Sequence, residues 1–396
     1  LSQRYLDLDL YAESARVAQG SDPRVAGADS GHVTTHAYWR SRDGDTGEGQ
    51  LDVRGVQITG SIWQGRHRFG AGLAIERLDA GRPDAQTQLG TAVRRGAAAS
   101  ADTEETVLLP TVSYGYSWPD LEGATLLDVT LGLSPLSGAV DGRPIGSVRL
   151  ERREVERRGA IELFAEPRTD SLASYAGIDD PGGTASGGRV VETGLRLSGA
   201  HTLMVSWSLD GRLQLSELDG KHVTENHRVS LDGGLNYELG LAGFDYASVG
   251  PRYAYDSYTE NLSAFTAGHG GYYSPQSLHR LSLGAAFQTE DGALFVLRGS
   301  GAVGWQVTDE DHTRRFPRSD PGTMNPTIKG GSTSGLALDA QLDGVYRLTD
   351  RVALGFQSHA IHNNDFQELG FGIFLRLSLD DRGGALAGDI PGLPLR

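Results

Sequence analysis

The chain has 396 residues, a net charge of −15, 55 glycines and no cysteine. The missing cysteines exclude a disulfide framework, thiol chemistry and a zinc–thiolate site, and the acidic balance disfavours a nucleic-acid partner, whose phosphates call for a basic surface. No apolar run reaches the ~18–20 residues of a spanning helix. A barrel strand, however, carries a lipid-facing residue only at every second position, so a mean hydropathy of −0.33 is compatible with one.

Residues 1–30 differ from the rest of the chain. They predict a short helix and then a Pro/Gly/Asp-rich linker, read as a periplasmic segment ending a helical region upstream. With Leu first and no visible signal peptide, the chain reads as a processed or truncated product. From Gly31 the apolar period is two. In 125–133, Leu127, Val129, Leu131 and Leu133 oppose Asp128 and Thr130. In 227–239, Val229, Leu231, Leu235, Tyr237 and Leu239 oppose Arg228, Ser230, Asp232, Asn236 and Glu238. Residues 336–348 and 371–379 alternate in the same way. Such runs are strands with one apolar and one wet face.

About sixteen such strands are expected, at 31–42, 48–64, 66–78, 104–118, 123–134, 143–156, 158–168, 188–199, 201–217, 225–239, 242–260, 277–289, 292–308, 333–348, 351–361 and 365–379. Sixteen is a count at which a closed barrel encloses an aqueous channel. The apolar parity of 48–64 switches between Val53 and Val56, which predicts a bulge. Connections alternate in length: Gln64-Gly65, Gly199-Ala200, Gly240-Leu241, Glu290-Asp291 and Thr349-Asp350 are short, whereas 79–103, 169–187, 261–276 and 309–332 are long. Short periplasmic turns and long external loops have this alternation. The expected fold is therefore all-β, a transmembrane antiparallel up-and-down β-barrel of 16 strands over 31–380 in the bacterial outer membrane. Both barrel termini then lie in the periplasm, a tail at 381–396 lies in the periplasm or the lumen, and Trp63 and Trp118 fall in an interfacial belt.

The loop FTAGHGGYYSPQ (265–276), the segment RTDSLASYAGIDDP (168–181) and the closing strands resemble the C-terminal barrel of the BcsC-like cellulose exporters, a family belonging to bacterial cellulose synthase operons. The resemblance covers nearly all of 31–379 and departs in two places: no repeat domain precedes the barrel, and the chain continues past the last strand as DDRGGALAGDIPGLPLR. It implies an outer-membrane exporter of cellulose. The implied partners are the β-glucan chain, outer-membrane lipids, a periplasmic tetratricopeptide-repeat region upstream and an inner-membrane cellulose synthase complex.

The residues suit such a conduit. A neutral glucan needs hydroxyl-matching groups and aromatic faces without tight binding at any one place. Ser206, Ser208, Gln214, Asn236, Glu238, Asp339 and Gln341 fall on expected lumen faces. In the 261–276 loop, Gly268, Gly270 and Gly271 allow the chain to fold back over the mouth. Phe265, Tyr272 and Tyr273 could stack on sugar rings or pin the loop to its neighbours; His269, Ser274 and Gln276 supply polar groups, and Pro275 sets the exit into the next strand. Catalysis is not expected: Ser274 and His269 lack an orienting acid, and Glu162, Glu166 and Glu238 are ordinary lumen carboxylates. No cofactor or metal is expected, since His32/His36 and His359/His362 lack a third ligand. Asp309, Glu310, Asp311 and Asp320 could at most hold calcium weakly. The competing readings are an exporter of an anionic exopolysaccharide such as alginate, whose lumen should be positive, and a barrel enzyme or receptor.

Overall fold

The structure is a computed structural model that describes residues 30–84, 87–91, 103–180, 186–319 and 324–392. The expectations for residues 1–29 and for Asp320 lie outside the described residues. The barrel wall begins with β1 (Ser30–Arg42), β2 (Leu51–Gln64), β3 (His67–Asp79), β4 (Glu104–Pro119), β5 (Gly123–Leu133), β6 (Pro144–Glu154), β7 (Arg157–Pro167) and β8 (Gly188–Met204). It continues with β9 (Trp207–Lys221), β10 (Asn226–Glu238), β11 (Phe244–Tyr258), β12 (Ser277–Thr289) and β13 (Phe295–Glu310). A small hairpin of β14 (Thr313–Arg314) and β15 (Thr327–Ile328) rises from one loop, and β16 (Gly331–Arg347), β17 (Val352–His362) and β18 (Gln367–Ser378) complete the wall. Every wall strand pairs antiparallel with its neighbours and β1 pairs with β18, so the 16-stranded sheet closes on itself. Closure leaves no unpaired edge, the condition for a sheet to cross a bilayer.

Alternation sets the two faces. In β18, Leu369, Phe371, Ile373, Leu375 and Leu377 point outward while Glu368, Phe374, Arg376 and Ser378 point inward. The same division along the other strands makes an apolar outer belt. At the short-turn end the belt carries outward aromatics, with Tyr116 against Trp118 and Trp207 against Tyr237. Trp118 thus stands where an interfacial ring belongs. Trp63 does not: it is buried on the inner face, beneath the Arg68 guanidinium.

Two further local expectations are corrected. The turn between β8 and β9 is Val205-Ser206; Gly199 and Ala200 lie inside β8, paired with Gly211 and Asp210. Glycine there reflects a bare outer face rather than a chain reversal, and Ser206 sits in the turn instead of on the lumen wall. The bulge between Val53 and Val56 is also missing, for β2 keeps one register against β1 and β3. Val56 faces out, and Val53 faces into an apolar patch inside the barrel.

The interior is filled from both ends. After β7 the chain turns inward and forms one helical turn, α1 (Leu172–Tyr175). Leu172, Tyr175 and Ala176 pack there on Tyr38, Leu51, Val53, Leu78 and Val107 of β1–β4. At the other end the tail re-enters after β18. Ala385, Ala387 and Ile390 pack on Val296, Val345, Ala353 and Phe374. Arg376 and Arg382 hold Asp389 at 3.3 and 3.0 Å.

Candidate functional site

The rest of the inner wall is a lattice of cross-strand ion pairs. Arg252 on β11 reaches Asp210 on β9 and Asp232 on β10, at 2.8 and 2.6 Å. Arg228 on β10 bridges Asp256 (2.8 Å) and Glu192 (3.1 Å). Arg196 joins Glu162 and Glu166, and Arg280 joins Asp339. Neighbouring inward positions lie within reach of long side chains, and pairing lets charges sit on a partly dry wall without an uncompensated desolvation cost. Of the expected lumen residues, Ser208, Gln214 and Asp339 are buried on this wall. Asn236 donates to Asp210, Gln341 donates to Asp343, and Glu238 accepts from the Ala247 amide.

The segment 168–178 narrows the lumen. Its helical turn is started by a capping box: Ser171 Oγ accepts from the Ser174 amide and Ser174 Oγ from the Ser171 amide. The Arg189 guanidinium donates to the Ala176 carbonyl at 3.0 Å, closing the other end. Tyr175 donates to Glu76 Oε2 (2.8 Å), whose other oxygen accepts from Tyr38 (2.6 Å). Arg40 donates to the Thr169 carbonyl at 2.8 Å. Arg168 and Arg42 flank Asp170 at 2.9 and 3.5 Å. Burial alone would raise the Asp170 carboxyl, but these two guanidinium groups overcome it and hold it below the usual range.

The loop 259–276 lies against this segment. Ser171 Oγ donates to the Gly271 carbonyl at 2.6 Å, joining the two stretches that carried the sequence resemblance. Tyr272 is 1% exposed, packs with Val190, Leu218, Val223, Tyr258 and Leu262, and accepts from Asn226 Nδ2 at 3.1 Å. Its role is to pin the loop, not to stack on a ligand. A Cβ at Gly270 would sit 2.2 Å from the Tyr272 ring, so the close packing requires glycine. Ser274 Oγ accepts from the Leu262 amide, and Gln276 accepts from the Asp311 amide. His269 Nε2 donates to the Arg314 carbonyl at 2.9 Å; burial lowers its pKa, so the ring is neutral near pH 7.

The remaining members of the expected set divide between two cavities. Tyr273 and Pro275 line the lumen cavity, together with Phe366 and Tyr258. Phe265, His269 and Gly271 line a separate pocket. The Tyr273 ring meets Phe366 edge-on at 6.3 Å, and its hydroxyl donates to Asp365 at 2.5 Å. Burial and Asp365 push that phenol well above its usual pKa, so it stays a neutral donor. Arg42 stacks on Phe366 at 3.9 Å. Five arginines (40, 42, 168, 212 and 228) and six carboxylates (Glu166, Asp170, Glu192, Asp232, Asp256 and Glu368) line the same lumen cavity, which is therefore close to charge-balanced.

Sequence reasoning missed Phe366, Glu76 and the arginines of β1. Alternation places Arg40 and Arg42 on the inner face of β1, and the expected strand 365–379 gives Phe366 the inward parity of Arg376 and Ser378; that Phe366 ends a short loop instead was not legible. For a metal, the described residues bring Glu217, Glu225 and His227 close enough to share a cation, all three exposed on the outer surface.

A closed antiparallel barrel with an apolar belt, a charge-paired interior and inward-folded loops defines an outer-membrane β-barrel channel. A solved structure described as a bacterial polysaccharide outer membrane secretin shares this fold, with a TM-score of 0.50 and 10% identity over 88% of this chain and 98% of that chain. The chain belongs to the family described as the C-terminus of cellulose synthase operon protein C, which matches residues 51–380. Cellulose synthase operon protein C of Pseudomonas fluorescens is 27% identical over 268 residues, 66% of this chain and 20% of that protein. The namesake from Escherichia coli K12 is 26% identical over 249 residues, 59% of this chain and 21% of that protein. The chain thus spans about a fifth of the length of these curated relatives.

Proposed function

We propose that the barrel passes a nascent neutral β-glucan, cellulose or a close relative, from the periplasm to the cell exterior by passive conduction. The long loops then face outward and both barrel termini face the periplasm. The observation that carries this reading is the lumen cavity, where Tyr258, Tyr273 and Phe366 stand among five arginines and six carboxylates. Aromatic faces suit pyranose rings, and paired charges offer hydroxyl partners without a net field. An anionic polymer would be drawn by a positive lumen, which this balance does not provide. The force would come from a synthase in the inner membrane, reached through a periplasmic repeat region, since the sequence has no glycine-rich phosphate loop with lysine. The barrel's part is conduction rather than catalysis: Glu162 and Glu166 are held by Arg196, and His269 and Ser274 by backbone partners.

The test is single-channel conductance in a planar bilayer, with cello-oligosaccharides or oligo-uronates added on the short-turn side. Block by the neutral sugars, weakened by Tyr273→Ala, is the expected outcome. Block by uronates alone would overturn the reading in favour of an anionic exporter.

A further inference from the structure

The pocket lined by Phe265, His269 and Gly271 has no part in the lumen cavity. It is enclosed by the loop after β3, the segment after β7 and the loop before β12, and measures about 210 Å³. Drug-sized sites begin near roughly 300 Å³, so this one suits a single ring rather than a run of several. Its walls join one aromatic side chain to hydrogen-bond acceptors. Phe265 is half-buried and its backbone is fixed, the Gly90 amide donating to the Phe265 carbonyl at 3.0 Å. Asp180 is held as an acceptor by the Thr91 amide and hydroxyl, at 2.7 and 2.8 Å. His222 Nδ1 lies 3.0 Å from the Ser186 carbonyl. A carbonyl can only accept, so Nδ1 carries a proton, and in the neutral ring Nε2 is left as an acceptor. The same argument applies to His269, whose Nε2 donates to Arg314 and whose Nδ1 is left as an acceptor. That Nδ1 is buried with no hydrogen-bond partner, in a residue only 6% exposed.

We propose that this pocket is a binding subsite for one neutral pyranose ring. Phe265 meets the ring's C–H face, and Asp180 and His222 accept from its hydroxyls. The proposal rests on the glucan reading above and adds a second sugar contact, separate from the lumen. An Asp180 carboxylate among acceptors also repels a uronate, so the site selects against acidic sugars.

The experiment is saturation-transfer NMR on the full chain in a detergent without sugar headgroups, with methyl β-glucoside and glucuronate as probes. The expected result is saturation of the glucoside and none of the glucuronate. Phe265→Leu should cut the glucoside signal by about fivefold, the worth of one aromatic contact near 1 kcal/mol. Ala267→Phe, which fills the pocket from a loop position, should abolish it. Unchanged heat-modifiable migration on a gel would show that both variants are folded barrels. Tyr273→Ala should leave the signal intact; a loss there would move the sugar into the lumen and overturn the subsite. A silent wild type, or equal signals in all variants, would also overturn it. If cello-oligosaccharides still block conductance in that case, only the subsite falls; if they do not, the glucan reading falls with it.

Discussion

The two halves of the barrel interior are built from the same kind of strand yet hold opposite contents. Behind β1–β4, near the long loops, the inner face carries Leu51, Val53, Leu78 and Val107, and protein packs on it. Behind β7–β11 the inner face carries Glu162, Glu192, Arg196, Arg228, Arg252 and Asp256, and the lumen cavity opens there. Inward alternation therefore does not mean polar. An inward residue is apolar where the chain folds back on it and charged where it pairs across the wall beside the lumen cavity. Under the proposed function, the polymer would run along the charged side, past Tyr273 and Phe366, with the segment 168–178 as a wall.

The packed side can be broken most severely. Tyr175→Ala removes a buried ring and leaves Glu76 with one partner fewer; unfolding of the barrel in denaturant should show a loss of about 3–5 kcal/mol, and conductance should rise as the wall loosens. On the charged side, Arg228→Met takes one guanidinium from both Glu192 and Asp256, leaving Glu192 to Arg168, Gln214 and Ser216. That should cost about 3 kcal/mol in the same assay without widening the packed half. A smaller effect is expected from acid. The folded Asp170 carboxyl lies below its unfolded value of about 3.9. Its contribution is then complete above that pH and is lost as the pH falls through the folded value. Conductance should accordingly be steady from pH 7 to 5 and noisier only below about pH 4; Arg168→Gln should move the onset upward. The mildest change is Tyr273→Ala, which should weaken cello-oligosaccharide block by about two- to tenfold and cost less stability than Tyr175→Ala, since Tyr273 is only partly buried. Equal effects of Tyr272→Ala and Tyr273→Ala on block at matched stability would erase the distinction between pinning and lining.

The wall was largely legible from its period-two pattern, because lipid on one side and water on the other impose opposite demands on alternate residues. The failures share one cause. Val53 and Trp63 are apolar residues answering to other parts of the protein inside the barrel, and a local pattern carries no record of such a partner. Gly199 misled for a related reason: on an outer face, a glycine inside a strand looks like a turn. The segment 168–181 stood out as a motif, but the placement of residues 168–178 depends on Arg40, Arg42 and Glu76, which lie 129, 128 and 99 residues upstream of their partners.

The bond between Ser171 and Gly271 spans a hundred positions of sequence. Its donor follows β7 and its acceptor precedes β12, and four strands must be laid between them before the two atoms can meet. Contacts of that separation form late, since the intervening chain must be ordered first. The bond should therefore form only once β8–β11 are in place, and it would serve as a marker of a finished wall, detectable in pulse-labelling during membrane insertion.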